Sequence, residues 1–336
     1  MMNFKSDLEQ IIKEQFDIND ISYEANMDVG RLAARYFEML NRLIVPSPRN
    51  VVFSEEIHDS LGRLARETEA EEREKVLEAW RAIFLIRLLL EEGKNVNGFL
   101  STRIKSATGE KSKDGLLWDF GMHHFHLSTK YESSGFVERS GYLLYAVITQ
   151  EGAYFVDIGP HRDPRGQGRE WVRQDLLRIV HSNWPELIES HVLRGLTGSV
   201  LTDEEKWNLR KKNANHVTDL GGKAVLPIGG GTTSDGSSLA CRMWASRLLH
   251  EIDHQQRYFD EHQGEVRSQL EASGTKIAVE LDFQLVLLDS LNPPTALSDS
   301  LREDRCLSRD LCRMGFVIVE TTTRWPIVLF DRRVIP

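Results

Sequence analysis

The chain has 336 residues, which exceeds the length of one ordinary domain. Of these residues 40% are hydrophobic and 28% are charged, a composition that excludes global disorder. Its net charge of −9 argues against nucleic-acid binding by bulk electrostatics, because phosphate affinity comes from Lys and Arg, so a local basic patch would be needed. The chain lacks a long apolar run and a signal-peptide pattern, and its three cysteines lack zinc-like spacing. We therefore expect a cytoplasmic protein with reduced thiols and no membrane partner.

Residues 1–93 are predicted to form a helical N-terminal region. Apolar side chains recur at three- and four-residue spacing over 8–16 and 29–40, the pattern of helices with one buried face. Ser54 suits the N-cap of a third helix, and a fourth helix should end at Gly93. We expect no catalytic side chains in this platform.

Residues 94–200 are predicted to form a central α+β unit. The apolar segments 142–148 and 153–158 are rich in β-branched and aromatic residues, and a short segment that contains Gly152 separates them. This pattern predicts a β-hairpin. A helix should follow over 170–180.

Residues 201–222 are polar and basic and are predicted to be a linker, followed by a C-terminal α+β domain over 223–336. In that domain a long helix should precede a strand over 277–287, where apolar and polar residues alternate. Apolar runs at 315–319 and 326–330 predict two further strands. The expected fold class is therefore α+β, with a helical platform, a central antiparallel-sheet unit and a C-terminal antiparallel sheet with a long helix.

Three of the eleven histidines fall within four residues, just before the predicted hairpin. On an extended segment His124 and His126 project to the same face, and His161 joins them if the strands pair. Such a trio could hold a metal through its imidazoles. It could also supply the general acid and base of RNA cleavage, with Arg139 or Arg162 stabilising phosphate charge. Core or surface histidines without a catalytic role are the alternative.

The hairpin carries a family resemblance. Arg139-Ser-Gly-Tyr-Leu-Leu-Tyr is followed, after a turn, by a strand that ends in His161-Arg162, and this arrangement resembles the RelE-type toxins, ribosome-dependent mRNA endonucleases. The resemblance covers 139–163 only; no second arginine precedes the two leucines, and the pair His124 and His126 is additional. It implies that Arg139, His161 and Arg162 polarise the scissile phosphate while His124 or His126 activates the 2′-hydroxyl. Cleavage would need no metal and would leave a cyclic phosphate.

A second candidate site lies in the predicted long helix. His250-Glu251-Ile-Asp-His254 matches the H-E-x-x-H pattern. On a helix the two histidines lie one turn apart and can bind zinc, with Glu251 as the general base of a zinc-dependent hydrolase. Three residues are open as the third ligand: His262, Glu265 and Glu280.

Three functions are therefore open. The first is a toxin-like endoribonuclease that acts on RNA, free or ribosome-bound, without a cofactor, in a toxin–antitoxin or phage-defence setting. The second is the zinc hydrolase, and the third is a non-enzymatic adaptor or antitoxin-like interaction protein with structural histidines. An antitoxin protein or a second copy of the chain is the expected protein partner.

Overall fold

The computed structural model describes residues 3–67, 73–106, 113–139, 141–161, 172–198, 200–262, 264–265, 267–268, 283–287 and 316–320. Two units are distinguished, one comprising Met1–Phe37 and Arg242–Pro336 and the other Glu38–Cys241. We call them the terminal unit and the central unit. The predicted α+β fold class is confirmed, whereas the predicted domain boundaries at 93, 200 and 222 stay a prediction.

Helices and strands are interspersed along the described residues. The helices are α1 (Phe4–Ile18), α2 (Val29–Arg42), α3 (Glu55–Glu67), α4 (Arg73–Glu91), α5 (Gly115–Phe120), α6 (Gln174–Asn183), α7 (Glu186–Glu189), α8 (Asp203–Lys211) and α9 (Leu239–Glu261). The strands are β1 (Asn50–Phe53), β2 (His123–His126), β3 (Tyr142–Ile148), β4 (Gly152–Pro160), β5 (Val192–Leu193), β6 (Thr218–Leu220), β7 (Lys223–Val225), β8 (Phe283–Leu287) and β9 (Phe316–Glu320). None of these helices combines the length and the apolar composition of a membrane span.

The terminal unit contains α1, most of α9 and the antiparallel pair β8 and β9. The spacing predicted for α1 is confirmed, because its buried side chains recur every four residues along one face: Phe4, Leu8, Ile12 and Phe16. Phe4 meets Phe259 of α9 edge-on, with ring centroids 5.6 Å apart. Strand β9 confirms the strand predicted at 315–319, and β8 is the described part of 277–287. The strand predicted at 326–330 lies outside the described residues.

The central unit is built on a four-stranded sheet in the order β1-β4-β3-β2. The predicted hairpin is confirmed, since β3 and β4 pair antiparallel and β2 pairs antiparallel with β3. Strand β1 pairs parallel with β4, so the region 1–93, predicted as helical, also contains a strand at Asn50–Phe53 that the sequence did not indicate. Four residues are too short to show the alternation of a strand, and the pairing partner is distant in the sequence.

Each face of this sheet supports its own apolar core. Helices α3 and α4 pack on the face that carries Phe125, Leu144 and Phe155. Helices α5 and α6 pack on the opposite face, beside Leu143 and Tyr145. We call this second face the site face, because His124 and His126 project from it.

The predicted linker over 201–222 contains α8 and β6. Thr202 and Glu205 form a reciprocal capping box at the start of α8, which satisfies two backbone donors. Lys206 of α8 is fully buried, with Nζ 3.1 Å from Thr218 Oγ1 and 4.4 Å from the centre of the Phe120 ring. Helix α8 is therefore part of the packed central unit.

Candidate active site

Strand β2, which carries the histidines, follows directly on the short helix α5. Asp114 caps that helix, since its carboxylate accepts a hydrogen bond from the Leu117 N–H at 3.1 Å. The helix ends at Gly121 in the left-handed conformation, with φ of 67°, which costs glycine little. Asp119 of α5 forms a short ion pair with Arg210 of α8. These contacts fix where β2 begins.

Strand pairing places two of the candidate histidines on one face. His124 lies opposite Tyr145, and His126 lies opposite Leu143. Directly opposite residues share a face of the sheet, and both Tyr145 and Leu143 belong to the core of the site face. The expectation that His124 and His126 project together is confirmed.

The third histidine joins them from the end of β4. The backbone N–H of His161 donates to the carbonyl of Gly141 at 2.7 Å and so extends the hairpin ladder by one residue. The ring centroid of His161 lies 5.2 Å from that of His126, and the centroid of His126 lies 6.0 Å from that of His124. The structure therefore brings together the three histidines that the sequence proposed as a trio.

Burial favours the neutral form of two of these imidazoles, those of His124 and His126. Burial lowers the pKa of His126 to about 3, and the charges of its neighbours, including Arg139, act in the same direction. Burial also lowers the pKa of His124; Asp114 opposes this shift, while Arg103 and Arg139 add to it. Arg139 is itself exposed, so a cationic side chain close enough to influence both histidines is open to solvent.

The ring nitrogens add a further constraint. The Nδ1 atoms of His124 and His126 are buried and have no hydrogen-bond partner among the described residues. Neutral imidazole has one donor and one acceptor nitrogen, and the bonds it makes select the tautomer. With Nδ1 unpartnered, no hydrogen bond from the described residues to that atom selects the tautomer of either ring.

The structure adds a polar group on the same face, formed by Arg173, Asp157 and Asp175. The Nη2 atom of Arg173 lies 2.6 Å from Asp157 Oδ2 and 2.5 Å from Asp175 Oδ2, and the guanidinium lies 5.4 Å from the centre of the Tyr145 ring. A Cβ added at Gly159 would lie 2.7 Å from Arg173 Nη1, so the glycine leaves room for this side chain. The alternation along β4 places Asp157 and Gly159 on the same face as His161, so the sequence could have indicated these two residues. The position of Arg173 depends on tertiary packing, which no local pattern shows.

The neighbouring histidine of β2 does not join the cluster. His123 alternates with His124 along β2 and so projects to the other face. Burial lowers the pKa of His123 to about 4. Arg162, which the resemblance implicated, lies outside the described residues.

The second candidate site lies on α9. His250 and His254 are one helical turn apart, as predicted, and the Glu251 carboxylate accepts a hydrogen bond from the Gln255 side chain at 2.7 Å. Glu280 lies outside the described residues. Among the residues that the structure describes, no three His, Cys, Asp or Glu side chains are grouped so that they could hold one metal ion. A zinc site with a third ligand therefore stays a prediction.

Comparison of the chain with protein-family models, with curated proteins and with solved structures gave no match. The resemblance of the hairpin to RelE-type toxins stays a prediction.

Proposed function

We propose that this protein is an endoribonuclease that cleaves RNA by acid–base catalysis at His124, His126 and His161. The observation that carries the proposal is the convergence of the three imidazoles on the site face, with ring centroids 5.2 and 6.0 Å apart. Two imidazoles at such separations can reach the 2′-oxygen and the 5′-oxygen of one phosphodiester. RNA is the substrate that this chemistry fits, because its 2′-hydroxyl supplies the internal nucleophile.

The reaction is a transesterification with two proton transfers. One neutral imidazole removes the proton of the 2′-hydroxyl, whose oxygen then forms a bond to phosphorus as the bond from phosphorus to the 5′-oxygen breaks. A second imidazole, in its protonated form, gives its proton to the departing 5′-oxygen. The products are a 2′,3′-cyclic phosphate and a free 5′-hydroxyl, and no redox step is involved.

Substrate binding must raise the pKa of His126 if this residue is to exchange protons efficiently at neutral pH. A pKa of about 3 for His126 makes the unbound imidazole a weak base at neutral pH, because proton-transfer efficiency is greatest near the operating pH. A phosphate beside the ring favours the protonated form and raises that pKa. Arg139 supplies positive charge close to the same rings, which favours phosphate binding and stabilises the charge that develops during transfer.

The resemblance to RelE-type toxins supports mRNA on the ribosome as the specific substrate, in a toxin–antitoxin or phage-defence setting. The net charge of −9 gives no bulk attraction to RNA, so binding must rest on local contacts such as those of the exposed Arg139.

The test is RNA cleavage by the purified protein, with labelled RNA alone and with mRNA on ribosomes. We expect cleavage that a chelator leaves unchanged and that His126→Ala and His161→Ala abolish. His250→Ala is the matched control, since this exposed histidine lies on α9 and its variant should cleave at the wild-type rate. Intact RNA in both wild-type reactions, or cleavage that needs His250 and not His126, would contradict the proposal.

A further inference from the structure

The guanidinium of Arg173 is held on the site face by two carboxylates. Its Nε and Nη2 atoms lie 3.2 and 2.5 Å from Asp175 Oδ2, and Nη2 also lies 2.6 Å from Asp157 Oδ2. The same group lies 5.4 Å from the centre of the fully buried Tyr145 ring. A planar guanidinium that is hydrogen-bonded along one edge and packed near an aromatic ring has little rotational freedom. The direction of its third nitrogen, Nη1, is therefore fixed.

The Nη1 atom is the end of this side chain that is open to a ligand. Among the residues that the structure describes, none accepts a hydrogen bond from Nη1, because both carboxylates bind at Nε and Nη2. The Arg173 side chain is 18% exposed, against 6% for Asp157, so solvent reaches the arginine. A Cβ at Gly159 would lie 2.7 Å from Nη1. Nη1 thus offers two N–H donors directly above the backbone of β4 at Gly159.

The pairing of the strands places these donors beside the histidines. Gly159 lies opposite Leu143 of β3, and Leu143 lies opposite His126 of β2, so the three residues form one row across the sheet. His161 follows Gly159 by two residues, which puts it on the same face about 7 Å further along the strand. The rings of His161 and His126 have centroids 5.2 Å apart. A phosphate that contacts both rings is therefore within reach of a donor above Gly159.

We propose that Arg173 is a further catalytic residue of this site, and that its Nη1 donates a hydrogen bond to a non-bridging oxygen of the scissile phosphate. The inference rests on the proposed ribonuclease function. Burial lowers the pKa of Arg173, but the hydrogen bonds and charges of Asp175 and Asp157 outweigh this effect and raise it. The guanidinium is therefore cationic at every pH at which histidines titrate, and its planar fork of donors suits phosphate oxygens.

The charges around Arg173 indicate which kinetic constant it controls. Asp157 and Asp175 lie beside the guanidinium, and they weaken the attraction of Nη1 for the single negative charge of an unreacted phosphodiester. When the 2′-oxygen attacks phosphorus, further negative charge develops on the non-bridging oxygens, and the hydrogen bond from Nη1 becomes stronger. An interaction that is stronger in the transition state than in the bound substrate raises kcat with little effect on KM.

Phosphorothioate RNA tests the contact directly. Sulfur is a weaker hydrogen-bond acceptor than oxygen. In one of the two diastereomers, sulfur at the contacted position should slow wild-type cleavage at least about tenfold, the value of a hydrogen bond to a charged group. The double variant Arg173→Gln/Asp157→Asn removes the ion pair without leaving a buried carboxylate unpaired. In this variant the same sulfur should change the rate by less than about twofold, because the contact that it weakens is already absent.

The rates on ordinary RNA supply a second measurement. The double variant should lose about 10²-fold in kcat, the usual cost of removing one donor to a developing oxyanion, while KM stays nearly unchanged. Arg173→Lys keeps a positive charge beside both carboxylates but loses the planar fork, so its kcat should fall about tenfold. Arg178→Gln is the matched control, since it makes the same replacement at an exposed position on α6 and should leave kcat unchanged. Circular dichroism checks that each variant is folded.

Two outcomes would overturn the role of Arg173 and leave the histidine mechanism in place. The first is an equal effect of sulfur on the wild-type protein and on the double variant. The second is a wild-type kcat in Arg173→Lys. A wild-type protein that does not cleave RNA would instead overturn the proposed function, and this inference with it.

Discussion

Acidification should destabilise the central unit through His126. The ordinary pKa of histidine, 6.5, applies to the unfolded chain, whereas burial lowers the folded value to about 3. Between these two pH values the unfolded chain binds a proton that the folded protein does not. The contribution of the neutral His126 to the free energy of unfolding is therefore fully present above pH 6.5, and it is lost as the pH decreases. At pH 5 the difference is about 1.5 pH units at ~1.4 kcal/mol each, or about 2 kcal/mol from this one residue.

Urea unfolding, followed by tryptophan fluorescence at pH 7 and pH 5, measures this loss. Glutamine cannot be protonated, so His126→Gln should lose about 2 kcal/mol less than wild type over the same pH change. His250→Gln is the control, because it makes the same replacement at an exposed position on α9. The same pH-dependent loss in His126→Gln and in wild type would refute the argument that His126 is buried in the neutral form.

Three further substitutions test particular contacts. Gly159→Ala places a Cβ 2.7 Å from Arg173 Nη1, so the guanidinium must move away from Asp157. We expect a cost of about 1–3 kcal/mol in urea unfolding, typical of an overpacked site, and an unchanged stability would contradict the close contact. Asp119→Ala leaves the half-buried Arg210 without its ion-pair partner and should cost about 3 kcal/mol in urea unfolding. A cost near zero would contradict the view that this ion pair holds α5 against α8. Ser54→Ala removes the cap of α3 and should cost ~1 kcal/mol, which Ser54→Thr should largely restore.

Local patterns in the sequence were sufficient for the elements that carry the histidines. The hairpin was predicted at 142–148 and 153–158 and occupies Tyr142–Ile148 and Gly152–Pro160, because its apolar runs and its turn are adjacent in the chain. Alternation along a strand also predicted that His124 and His126 share a face. The meeting of His126 with His161 needed the register of three strands, which periodicity does not give.

Contacts between distant residues explain what the sequence did not predict. Strand β1 is recognisable only by its pairing with β4. Asp119 and Arg210 are 91 residues apart in the chain, and no local pattern joins them. Arg173 reaches the site face through Asp157, and that contact depends on how α6 packs on the sheet. Such pairs are defined by tertiary structure, so a reading of local patterns misses them.

The most direct test of the proposed chemistry is the identity of the new 3′ end after RNA cleavage. Mass spectrometry of the products formed by the wild-type protein on ribosome-bound mRNA, with a chelator present, should find a 2′,3′-cyclic phosphate, paired with a 5′-hydroxyl on the downstream fragment. His126→Ala should give neither end. A 3′-hydroxyl paired with a 5′-phosphate would mean that water, and not the 2′-oxygen, attacked phosphorus, which would contradict acid–base transesterification at His124, His126 and His161.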